Sequence, residues 1–279
     1  MNRYILLIGA LLLTSCASTE SITDNSEFQP DDPSLQATLW VQNASEYDAI
    51  NYQSYKTAER VLPLPLEDSF WTASINQTKG SSYRELPPAI IMDIDETVLD
   101  NSPFQARMIL ENRSYNSEDW NAWCNEAKAT AVPGALEFAR YAAEQGVTIF
   151  FLSNRSYEVE EATRKNLKAL GFPVSTKIDN ILTNGEQPNW DSSKINRRKM
   201  VEDNFRVIML FGDDLNDFFP AKDISQAERD KKVSEYANYF GRKWFILPNP
   251  IYGSWDSILE NEIENDATTS HGLRPAYNN

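Results

Sequence analysis

The sequence predicts an α/β fold, a parallel sheet with helices on both faces, and three observations carry that prediction. Three unbroken apolar runs, 89–93, 147–152 and 207–211, are too short for helices and lack the alternation of half-exposed strands, so they read as strands buried on both faces. Helix-length patterns closed by glycine lie between them, and strands alternating with helices give parallel sheets with right-handed crossovers. Polar clusters follow each run, where ligands bind in such sheets.

The elements follow in chain order. Asn2-Arg3 and the apolar run 4–13 have the form of a signal peptide, and the run is too short to span a bilayer, which takes about 20 apolar residues. It ends Leu13-Thr14-Ser15-Cys16, which resembles a bacterial lipobox. On that reading residues 1–15 are removed and Cys16 becomes an acylated membrane anchor; the other reading is an ordinary secretory signal that contains a cysteine. Ala17 rather than aspartate after Cys16 favours the outer membrane of a Gram-negative cell. Residues 16–32 are polar and aperiodic, a flexible tether. With Cys16 lipidated, Cys124 has no partner for a disulfide and reads as a small buried apolar residue.

A long helix is expected over 35–62, with a break near Asn43, ended by Pro63 and Pro65, and a short one over 66–75. The first strand follows Pro87-Pro88. The segment 133–145 starts with proline in its first turn and is capped by Gly146; 157–170 is capped by Gly171. Residues 244–247 make a fourth strand and 178–182 a fifth. Residues 266–279 form a polar tail.

Composition removes whole classes of function. The 279 residues carry 26 Lys+Arg against 41 Asp+Glu, a formal charge of −15, and the pI near 4.6 argues against binding a nucleic-acid polymer. The one histidine, His271, sits in the polar tail. Histidine nucleophiles, Ser-His-Asp triads and His-rich zinc sites are thereby excluded, since each needs an imidazole in a packed site.

The polar clusters carry the chemistry. The first strand runs into Asp93-Ile94-Asp95-Glu96-Thr97, the second into Ser153-Asn154-Arg155, the third into Gly212-Asp213-Asp214-Leu215-Asn216-Asp217, and Asp191-Ser192-Ser193-Lys194 lies between the last two. At a strand tip the chain curls, so Asp93 and Asp95 can reach one site despite their spacing. Asp93 is placed as a nucleophile toward phosphorus, and Asp95 as the group that gives and then takes a proton. Asp93, Asp95, Asp213 and Asp217 together would repel one another, and a hard divalent cation relieves this; all-oxygen ligands favour Mg²⁺. The residues after Lys194, Arg197-Arg198-Lys199, fit a solvated helix face. Arg155 fits either a phosphate contact or a structural ion pair.

These four elements resemble the haloacid dehalogenase superfamily of phosphatases. The longer stretches, 91–103, Pro133-Gly134-Ala135, 151–155, 212–218 and Pro248-Asn249-Pro250-Ile251-Tyr252-Gly253, resemble the class C bacterial acid phosphatases, outer-membrane lipoproteins with four signature aspartates. The resemblance runs from about residue 35 to 259. It implies a Rossmann-like sheet with a small helical cap, the phosphatase domain covering 33–265 with cap segments from about 33–80 and 103–132. It implies Mg²⁺ held by the side chains of Asp93 and Asp213 and the backbone carbonyl of Asp95, with Asp217 holding a metal-bound water. Ser153, the backbone at Asn154, and Lys194 would grip the phosphoryl oxygens. An aromatic pair in the family stacks on a nucleobase, and Trp120 and Tyr252 occupy the matching positions; Trp123 reads as packing. The implied activity is an Mg²⁺-dependent acid phosphatase acting on phosphomonoesters, nucleoside 5′-monophosphates foremost, through an aspartyl phosphate. The contrasting reading is a surface lipoprotein that binds haem or a nicotinamide nucleotide without turnover. Intact Asp93 and Asp213 favour catalysis.

Overall fold

A computed structural model describes residues 32–265. The signal peptide 1–15, Cys16, the tether up to residue 31, and the tail 266–279 with His271 lie outside the described residues.

The chain opens with helices α1 (Leu35–Asn43) and α2 (Ser45–Val61), broken at Ala44, whose extended backbone (ψ 119°) separates them. Pro63 and Pro65 do more than end α2. They sit in the first turn of a new short helix, α3 (Pro63–Glu67), where a missing N–H costs nothing. The helix expected over 66–75 does not form. Instead the segment after α3 runs beside the strand 206–212, and its polar groups satisfy that strand's first residues. The Ala73 N–H donates to the Val207 carbonyl (2.7 Å), and Gln77 Oε1 accepts from the Val207 N–H (3.1 Å).

Strand β1 (Pro88–Met92) leads to a two-residue strand β2 (Leu99–Asp100), helices α4 (Ser102–Leu110) and α5 (Ser117–Glu126), and β3 (Thr130–Ala131), which pairs antiparallel with β2. Then come α6 (Ala135–Glu144), β4 (Thr148–Ser156), α7 (Glu160–Leu170), β5 (Ile181–Asn184), α8 (Ile195–Asn204), β6 (Arg206–Gly212), α9 (Gln226–Glu235), β7 (Trp244–Ile246) and α10 (Ser254–Asn265). Helix α6 starts after Pro133, on Gly134 in the left-handed region (φ 86°); a Cβ there would press on Tyr55.

Five strands form one parallel sheet in the order β5-β4-β1-β6-β7. The unbroken apolar runs are explained by burial on both faces. Ile90, Met92, Phe151 and Phe211 point into one core with Tyr55 and Phe138; Ile91, Phe150, Leu152 and Leu210 point into the other with Val201 and Trp244. Between β1 and β6 the register slips, Ala89 facing Val207 but Ile90 facing Met209. Ile208 is the extra residue of this bulge, and its free carbonyl accepts the Trp71 indole N–H at 2.9 Å. Helix α2 lies against α6 and β7, and Tyr55 stacks on Phe211 with ring centroids 5.4 Å apart; α1 lies beside α4.

Candidate active site

The site is built where β1, β4 and β6 end. The Asp93 N–H donates to the Phe211 carbonyl (3.0 Å), so the sheet pairing extends one residue past β1. Beyond it the chain folds back, with Val98 and Leu99 both donating to the Ile94 carbonyl and Glu96 held at φ 55°. Past this curl the two aspartates find different partners.

Asp93, Asp213 and Asp217 converge, each offering an oxygen within 4.8 Å of the others. Lys194, left-handed at the start of α8 (φ 60°), sends its Nζ between two of them, 2.5 Å from Asp93 Oδ1 and 2.7 Å from Asp217 Oδ1. Burial raises Asp93 to about 7, with Lys194 opposing and Asp217 and Asp95 adding to the rise. Burial also pushes Asp213 well above the carboxylate range, and Asp93 and Asp217 push it further. For Lys194 burial disfavours the charge, but Asp217 and Asp93 outweigh it and hold the ammonium above its ordinary value. Three carboxylates, two of them buried, against one ammonium leave an excess of negative charge. The donor set, all hard oxygen, suits a hard divalent cation, which Asp93, Asp213 and Asp217 would hold.

Asp95 faces elsewhere. Its Oδ2 accepts from Ser153 Oγ (3.0 Å), and its Oδ1 from Asn101 Nδ2 (3.0 Å) and Arg155 Nε (2.9 Å). Arg155 is 2% exposed and also reaches Thr163 and Asn101. Its role here is the ion pair, though it also borders the cavity. Ser153 is fully buried and spends its hydroxyl on Asp95, while the Asn154 side chain donates to the Ser192 carbonyl and accepts from Arg197. The basic stretch after Lys194 is not a solvated face. Arg197 and Arg198 are buried, binding the Ser153 and Asn216 carbonyls respectively, and only Lys199 is exposed, paired with Asp203. Their period places them under the site because α8 packs on β4 and β6.

A cavity of about 620 Å³ opens over this cluster, bordered by Asp93, Asp95, Asn154, Lys194, Asp213 and Asp217. Trp120 and Tyr252 also line it, whereas Ser153 does not. Trp120 packs edge-on against Phe104 (5.1 Å between centroids), with the Arg155 guanidinium 5.6 Å from its ring. Trp123 is buried and its indole N–H donates to Asn101 Oδ1 (2.8 Å), which fits packing. Cys124 beside it is a buried free thiol, pushed up to about 12 by burial.

Several participants escaped the sequence reading. Asn249 Nδ2 donates to Asp213 Oδ2 (2.8 Å), and Asp214 accepts the Ser254 N–H (2.6 Å). Tyr115, Gln105 and Lys222 border the cavity. Asn249 lies in Pro248-Asn249-Pro250-Ile251-Tyr252-Gly253, so its position is visible in the sequence although its role is not.

A family model described as HAD superfamily, subfamily IIIB (acid phosphatase), matches residues 13–255. The chain belongs to this family. Among solved structures, the class C acid phosphatase of Bacillus anthracis is similar, with a TM-score of 0.70 and 36% identity over 85% of this chain and 91% of that one. A second structure of that enzyme, with tungstate bound, gives a TM-score of 0.72 and 35% identity, covering 88% and 98%. The class B acid phosphatase of Morganella morganii is 25% identical over 81% of this chain and 86% of its own length. The stem 28 kDa glycoprotein of Glycine max is 25% identical over 166 residues, and the match spans 58% of either chain.

Proposed function

We propose that this acid phosphatase family member hydrolyses phosphomonoesters, nucleoside 5′-monophosphates foremost, through an aspartyl phosphate and with Mg²⁺ as its cation. The observation that carries the proposal is Asp93, at the tip of a buried strand, in a cluster with Lys194, Asp213 and Asp217 at the floor of one cavity. An Asp93 oxygen attacks phosphorus as the bond to the leaving oxygen breaks, giving the aspartyl phosphate. Asp95, released from Arg155 and Ser153 and carrying a proton, delivers it to the leaving oxygen. It then takes a proton from the water that cleaves the acyl phosphate. Lys194 lies within reach of the phosphoryl oxygens and opposes their charge. Bound Mg²⁺ would draw charge from those oxygens and quench the repulsion among the carboxylates. That the Bacillus relative was solved with tungstate, a tetrahedral oxyanion like phosphate, supports an oxyanion floor here.

Trp120 and Tyr252 on the cavity wall support a planar, base-tolerant platform. The segments 103–132 and about 33–80 supply the cap, and Cys16 the lipid anchor to the outer membrane. The test is phosphate release from AMP, nicotinamide mononucleotide and p-nitrophenyl phosphate, with Mg²⁺ and with EDTA. Turnover should require the cation and fall at least about 10³-fold in Asp93→Asn. Folded, Mg²⁺-supplied protein that releases no phosphate from any of the three would overturn the proposal.

A further inference from the structure

A buried carboxylate that the catalytic steps leave unused ties the reacting end of the cavity to its aromatic wall. Glu96 is 1% exposed and sits at φ 55°, a backbone region that non-glycine residues seldom occupy. Its two oxygens are divided. Oε1 accepts the Asn101 N–H (2.9 Å), closing its own loop, while Oε2 accepts Asn101 Nδ2 (3.3 Å) and the Tyr252 hydroxyl. A carboxylate is costly to bury unless donors surround it, so this one fixes the groups that satisfy it.

Tyr252 needs such fixing. It stands on the irregular segment after β7, where regular secondary structure does not set ring direction. Its backbone is held by Asn249, whose Oδ1 accepts the Ile251 N–H (3.0 Å) and Tyr252 N–H (3.4 Å) while its Nδ2 holds Asp213. One flank of the ring rests on the cluster of Val41, Tyr47 and Ile251. The far end of the ring is pinned by Glu96, 156 positions away in the chain.

We propose that Glu96 is a positioning residue for substrate recognition: its bond to the Tyr252 hydroxyl fixes the ring as a platform for phosphomonoesters with a planar aromatic group. The inference rests on the proposed nucleotide-binding role of Tyr252. It makes the hydroxyl, rather than the ring alone, the determinant of affinity.

The experiment is steady-state kinetics with AMP on the Mg²⁺-supplied full chain, comparing Tyr252→Phe, Glu96→Gln, their double variant and Tyr252→Ala. Adenosine affinity by calorimetry gives a readout independent of turnover. Tyr252→Phe keeps the ring and removes only the hydroxyl; it should raise KM about fivefold or more and weaken adenosine to match, the effect falling on KM rather than kcat. Glu96→Gln should do the same, and the double variant should add little to either, because both remove one interaction. A Tyr252→Phe enzyme with wild-type KM and adenosine affinity would overturn the inference, as would additive effects, which a merely structural Glu96 would give. If Tyr252→Ala also leaves KM unchanged, the platform itself fails; if only Tyr252→Ala raises it, the platform stands and the role of Glu96 falls.

Discussion

At the scale of single residues, a buried charge is held in place by the groups that answer it. Arg155 is the clearest case, its guanidinium closed in by Asp95, Thr163 and Asn101. Removing one partner of such a pair strands the other, which costs more than the pair is worth. Arg155→Met should therefore destabilise the fold by about 3–5 kcal/mol in urea unfolding, and a loss under about 1 kcal/mol would refute the buried-pair account. Glu186 shows the opposite situation. Partial burial, with Glu160 and Asp179 nearby, raises it from 4.5 to about 7, so the folded state holds its proton more tightly than the unfolded chain. The penalty is absent below pH 4.5, grows as pH rises, and is complete above about 7. Glu186→Gln should raise the melting temperature at pH 8 and leave it unchanged at pH 4. Because the group is only partly buried, the gain should be modest, and equal gains at both pH values would exclude a titration effect.

At the scale of elements, the decisive joint is between β6 and the acidic turn that follows it. Gly212 has no room for a side chain, since a Cβ there would overlap Asp217. Gly212→Ala should displace Asp217 from Lys194 and Asp213, lowering kcat/KM on the order of 100-fold. The stability loss should stay within about 1–3 kcal/mol, since the overlap is local. Unaltered kcat/KM in a folded Gly212→Ala protein would show that Asp217 is not held to its place by this contact. The same joint shows why the strands were legible in the sequence: runs such as 207–211 are buried on both faces, and burial leaves an unbroken apolar signature. The aspartates were legible because each stands next to its strand end in the chain. The segment 68–77 was not, because its conformation answers to the unpaired groups of Val207 and Ile208, which no local pattern reveals. The two-residue strands β2 and β3 are too short to leave a period. Asn249 with Asp213 and Glu96 with Tyr252 were hidden for a related reason, since each partnership exists only once the order β1-β6-β7 has brought distant loops together.

At the scale of the whole molecule, charge sets the terms on which substrate arrives. A chain at −15 repels a phosphomonoester dianion at long range, whereas Lys194, Arg197 and Arg198 act only close to the cavity floor. Salt distinguishes these two influences by distance. The screening length shrinks from about 30 Å at 0.01 M to about 8 Å at 0.15 M, which removes the distant repulsion and spares contacts within the site. Raising NaCl across that range at fixed Mg²⁺ should therefore increase kcat/KM severalfold, mainly through KM. AMP and p-nitrophenyl phosphate carry the same charge, so their salt slopes should agree even where their affinities differ. A fall in kcat/KM with salt would mean that the buried cations around Lys194 govern the approach. Unequal slopes for the two esters would instead locate the salt effect in the aromatic wall, at Trp120 and Tyr252, rather than in the field of the molecule.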